Sequence, residues 1–96
     1  MAVRLVINIT AVPGKGNELA QAMKARCELS MKDAGCEQFE VFQSAVNPDR
    51  LVLLERWADQ AALDAHAQLN RTRPALRPGL RAGSGEREDY EYNRTR

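Results

Sequence analysis

The chain has 96 residues, 44% of them apolar and 28% charged, which suits one small domain over residues 1–96 and leaves no room for two. Its formal net charge of +1 sets it apart from the strongly basic general nucleic-acid binders. The two cysteines, Cys27 and Cys36, form no CxxC, the one histidine is His66, and no GxGxxG or P-loop is present; this argues against a built-in metal, nicotinamide or flavin site.

Taken in chain order, "VRLVINIT" (3–10) alternates, with Val3, Leu5, Ile7 and Ile9 on one face and Arg4, Val6, Asn8 and Thr10 on the other. That period of two predicts a strand. "VPGKGN" breaks it. Leu19, Met23, Cys27 and Met31 then recur every four residues, predicting an amphipathic helix over 17–33, with Asn17 as its N-cap and Gly35 as its end. "CEQFEVFQS" (36–44) and "LVLLERW" (51–57) read as a hairpin joined by "VNPDR". Asp59 is a good N-cap for a second helix over 60–69, with Leu63 and His66 on one face. Pro74 is placed to open one further helical turn, and "RPGLRAGSG" reads as a loop. "EREDYEYNRTR" is a polar closing strand with Glu88, Tyr90 and Tyr92 on one face. The order β-α-β-β-α-β predicts an α+β, ferredoxin-like fold: one antiparallel sheet with both helices on one side.

A sheet covered on one side should be polar on the other. Here Val6, Phe42, Val52 and Leu54 lie opposite the apolar residues of their own strands. Leaving that second face in water would expose a patch larger than monomers usually carry. Burial is worth roughly 25 cal/mol per Å2, so two chains are expected to pack sheet to sheet as a homodimer. The start "MAVRLVINIT" lacks the pattern of a signal peptide and no stretch is long enough to span a membrane, which makes the cytoplasm, with reduced thiols, the default expectation.

The stretch "LLERWADQAALDAH", together with "PGKGNEL" and "GCEQFEVFQS", resembles the antibiotic biosynthesis monooxygenase family of dimeric α+β barrels. The family pattern is a Glu, a Trp two residues on and a His nine after it, matched by Glu55, Trp57 and His66. The resemblance implies a pocket between sheet and helices, a small aromatic substrate and O2 as partners, and oxygenation of a quinol or anthrone without a cofactor. His66 would be the base, Asn8 would stabilise a substrate oxyanion, and Trp57 would pack on the substrate ring. A haem-degrading branch of the family uses an Asn on the first strand, a Trp and a His, and Asn8, Trp57 and His66 stand in similar places. A dimeric module that binds a small ligand without catalysis is the reading from another class.

Each of these residues also has a plainer use. Histidine titrates near neutral pH, which suits proton transfer, but His66 can equally pack in the core. Asn8 is an amide in a β-branched strand; it either meets a substrate oxygen or faces solvent. Trp57 can be core as well as wall. Glu55 is either a structural ion-pair partner, to Arg56 of another chain or a local cation, or a carboxylate at the site. With Leu63 beside His66, the expected substrate contacts are Trp57, Glu55 and Leu63. Arg71, Arg73, Arg77 and Arg81 are a solvated loop or a gate for an anion.

Overall fold

The alternation in the strands becomes the pleat of a single sheet. The computed structural model describes residues 1–92, with β1 (Ala2–Thr10), α1 (Gly16–Ser30), β2 (Cys36–Gln43), β3 (Arg50–Trp57), α2 (Gln60–Asn70) and β4 (Glu86–Tyr92) in that order. The strands are antiparallel in the order β2-β3-β1-β4. This is the ferredoxin-like β-α-β-β-α-β arrangement. The remainder of the expected closing strand, residues 93–96, lies outside the described residues.

Register puts Leu5 opposite Glu55, Ile7 opposite Leu53 and Val3 opposite Trp57, all on the helix side. There Val3, Leu5, Ile9, Phe39, Leu51, Leu53 and Trp57 meet Leu19, Met23, Cys27 and Leu63 of the helices in one buried core. The other side carries Val6 opposite Leu54 and Asn8 opposite Val52. Val6, Val52 and Leu54 are half-buried, and Phe42 and Tyr90 are exposed.

α1 differs from expectation at both ends. Its N-cap position is Lys15, with no side-chain cap, and Asn17 lies inside the helix, where its Oδ1 accepts from Gln43. The cap arrives from the β2–β3 turn instead: the carboxylate of Asp49 accepts from Gly14 N–H and Gly16 N–H, both at 3.0 Å. That approach leaves no room for a side chain at Gly16, whose Cβ would stand 1.9 Å from the carbonyl oxygen of Pro48. At the far end the helix stops at Ser30, not 33, because Lys32 and Asp33 donate to carbonyls three residues back and tighten the chain into a turn. Met31 is consequently exposed, and Ser30 takes the buried place expected of it. Gly35 closes the turn at φ 79°, against Ala62.

α2 begins as its sequence suggests, with Asp59 accepting from Ala62 N–H at 2.8 Å. Pro74 opens no helical turn. Its carbonyl accepts from Arg26, and Arg73 before it is tied to α1's exit, and the segment forms no regular element. The long connection to β4 is then laced to β1: Val12 N–H donates to Leu80 and Ala82 N–H to Thr10, each at 2.8 Å, and Leu80 is buried. No helix among the described residues is long and apolar enough to cross a membrane.

Candidate functional site

Between the sheet, the two helices and the β1-laced loop lies a cavity of about 530 Å3. Its floor is apolar, with Leu5, Ile7 and Leu53 from the sheet and Met23 and Leu63 from the helices. Its walls are more polar, with Gln60, Asp64, Asn70 and Ser84 among the lining residues. Glu55 and His66 sit deep, 5% and 7% exposed, and Arg26, Arg81 and Arg87 also line it. A concave site with an apolar floor and convergent polar groups suits a small molecule.

His66 is on the inner face of α2 because Leu63, one turn earlier, anchors that face in the core. Its ring leans on Trp57, with centroids 4.5 Å apart, and on Phe39 at 5.5 Å. Its Nδ1 lies 2.7 Å from Oδ2 of Asp33, in the turn after α1. Arg73, just beyond α2, donates to both oxygens of the same carboxylate at 2.9 and 2.6 Å. The side chains of Asp33, His66 and Arg73 are all at most 10% exposed. The Arg73 guanidinium, helped by His66 and opposed by burial, holds the Asp33 carboxyl below the usual carboxylate range.

Trp57 is fully buried and supports the site from behind. It lies outside the cavity wall, so it is not a surface for a substrate ring. Its Nε1–H donates to Oε1 of Glu55 at 2.9 Å, which is the partner Glu55 finds in place of the expected ion pair. Arg56 is on the opposite face and pairs with Glu37. Burial pushes the Glu55 carboxyl up, partly offset by the Trp57 hydrogen bond and by His66.

Asn8 does not reach this cavity. It is exposed on the open face of the sheet, in a hollow with Phe42 and Val52. The strand's period of two requires this, since Asn8 alternates with Ile7 and Ile9. The structure thus brings together His66, Glu55 and Leu63 around one cavity, with Trp57 behind them and Asn8 on the far side. The trio offered to haem by the resemblance is not assembled. Sequence reading missed Asp33 and treated Arg73 only as part of a basic loop. Their spacings of 33 and 40 positions carry no local pattern.

The cysteines take no part in the site. Burial raises the Cys27 thiol and pushes that of Cys36 up to about 11, which leaves both as packing groups rather than thiolates. Among the described residues no group of three or more His, Cys, Asp or Glu side chains is arranged to hold a metal ion.

Comparison with known proteins agrees with this geometry. The family model described as antibiotic biosynthesis monooxygenase matches residues 2–76. No curated protein matches the chain. Among solved structures, PA3566 from Pseudomonas aeruginosa superposes with a TM-score of 0.78 at 25% identity, covering 97% of this chain and 95% of its own. The protein SO0527 from Shewanella oneidensis gives 0.75 at 26% identity, covering 93% and 88%. A structure described as an antibiotic biosynthesis monooxygenase shares the fold with a TM-score of 0.76 at 18% identity, covering 96% and 99%.

Proposed function

The chain belongs to the antibiotic biosynthesis monooxygenase family, and on that premise we propose that it oxidises an electron-rich aromatic of the quinol or anthrone type, with O2 as the only oxidant. The observation that carries this reading is His66, beside the apolar floor of the cavity, with Nδ1 bound to a carboxylate and Nε2 without a protein partner among the described residues. Ser30 Oγ is the one sealed and unpartnered side-chain polar atom among those residues, so Nε2 is not sealed, and His66 lines the cavity.

The chemistry then follows from the groups present. Nε2 takes a phenolic or benzylic proton, and the substrate anion gives one electron to O2. The radical and superoxide join in a carbon–oxygen bond, and the peroxide takes the proton back from His66. Loss of the second proton from that carbon breaks the O–O bond, releases water and leaves a carbonyl. Four electrons leave the substrate and four reduce O2, so no other reductant or oxidant is needed. The apolar floor supports the aromatic ring, and Leu63 and Glu55 contact the substrate.

The oxygen electrode tests this with a panel of quinols and anthrones. Wild type should consume O2 with at least one substrate, and His66→Ala should lower the rate by about 100- to 10,000-fold, the usual worth of a positioned base. Full activity in His66→Ala overturns the mechanism. Tight binding of the aromatics without O2 uptake overturns the enzyme reading and leaves a ligand-binding module. We further infer that the open face of the sheet packs on a second copy of the chain, since its half-buried Val6, Val52 and Leu54 and exposed Phe42 form a continuous apolar patch.

A further inference from the structure

The buried cluster of Arg73, Asp33 and His66 joins the turn after α1 to α2 and the segment just beyond it, 33 and 40 positions away. We propose that Asp33 and Arg73 are positioning residues: Asp33 locks the His66 ring in the tautomer that carries its proton on Nδ1, which presents Nε2 to the cavity as an acceptor, and Arg73 ties that lock to the loop walling the cavity. This deepens the reading of His66 as a base, but its first test needs no substrate.

The argument rests on what each group can donate. An ionised carboxylate only accepts hydrogen bonds. Arg73 donates to both Asp33 oxygens, at 2.9 and 2.6 Å, a fork that requires the carboxylate form. The 2.7 Å contact from His66 therefore needs a hydrogen on Nδ1. A neutral imidazole has only one N–H, so Nε2 holds the lone pair. The low position of the Asp33 carboxyl agrees with this. In water a free imidazole side chain prefers the opposite tautomer, with the proton on Nε2. The lock thus selects a form that would otherwise be the minor one, and it does so before any substrate arrives.

Arg73 gives the lock a second consequence. Asp33 follows the end of α1 and Arg73 follows the end of α2, so their bidentate pair staples the two helix exits. The loop that leaves Arg73 supplies Leu76, Arg81 and Ser84 to the cavity wall. Wall and base are therefore held through one carboxylate. Lysine keeps the charge at this position but cannot hold both oxygens.

His66 is the only histidine, so a uniformly 15N-labelled sample shows one pair of ring nitrogens. With the ring deprotonated, wild type should show the proton on Nδ1 and an unprotonated Nε2. Asp33→Asn should move the signature towards Nε2–H, because the replacement amide can donate to Nδ1. Arg73→Ala should mix the tautomers, and Arg73→Lys should restore part of the wild-type signature. With an active substrate, Asp33→Asn should lower kcat by about 100- to 10,000-fold while changing KM little. A wild-type ring with its proton on Nε2 overturns the proposal even if no variant folds. An Asp33→Asn signature like wild type overturns the role of Asp33, and an unchanged Arg73→Ala overturns that of Arg73. If the tautomer is as expected but His66→Ala keeps its O2 uptake, the lock stands and the assignment of His66 as base fails.

Discussion

On β3, Leu51, Leu53, Glu55 and Trp57 are buried beneath the helices, while Val52, Leu54 and Arg56 between them stay partly exposed on the other side. The two faces are built from similar apolar residues, yet only one holds a trapped carboxyl and imidazole. On the covered face the helices and the loop enclose polar groups, so each needs a specific partner, and the partners create directed chemistry. On the open face the polar groups Arg4, Glu40, Arg56 and Glu88 are partly or fully exposed and can use water or one another. Apolar content marks both faces as surfaces to be covered. Buried polar atoms mark which one encloses a site.

The widest gap between the faces should appear in truncation. Trp57→Ala opens a void in the core and strips Glu55 of its donor, and should cost about 4 kcal/mol in chemical denaturation. Phe42→Ala, on the open face, should cost the isolated chain well under half of that. Equal costs would mean the open face is as tightly packed as the core. A charge on the open face should act on assembly instead: Leu54→Lys should leave the folding of the single chain nearly unchanged and raise the dissociation constant of the proposed sheet-to-sheet dimer by about 30-fold or more in sedimentation equilibrium. An unaltered assembly state would remove Leu54 from any interface.

The smallest effect is one of sign. Burial raises the Glu55 carboxyl in the folded chain above its unfolded value, so its ionisation on the covered face opposes folding. The stability this group contributes is full below the ordinary carboxylate range and is lost as pH rises through the folded value. Glu55→Gln keeps an oxygen for Trp57 Nε1–H and does not titrate. Its melting temperature should draw ahead of wild type as pH rises, and a lead that instead grows towards acid would contradict the burial argument.

Much of this was legible in the residues. Period-two spacing in β1, period-four spacing in α1, the "VNPDR" turn of the hairpin and the Asp59 cap of α2 placed their elements, because these are local effects. The apolar residues on both strand faces were equally plain. Alternation along β1 already put Asn8 opposite Ile7 and Ile9, and the family resemblance, both as oxyanion stabiliser and in the haem branch, drew it to the cavity side. What could not be read was any contact made across the fold. Asp49 caps α1 from another element, Asp33 meets His66, and Trp57 turns its N–H to Glu55 within the core. Such partners are chosen by packing, and sequence spacing does not encode them.

The 33- and 40-position separations within the Arg73, Asp33 and His66 cluster also set its place in time. Contacts across such separations spend loop-closure entropy before they return any stabilisation, so the cluster is expected to form after the local helices and the β2–β3 hairpin. The cluster should therefore be scarcely formed in the folding transition state. Loss of its bonds would speed unfolding and leave the folding rate nearly untouched. The groups that aim the imidazole then also govern how long the native chain persists between openings.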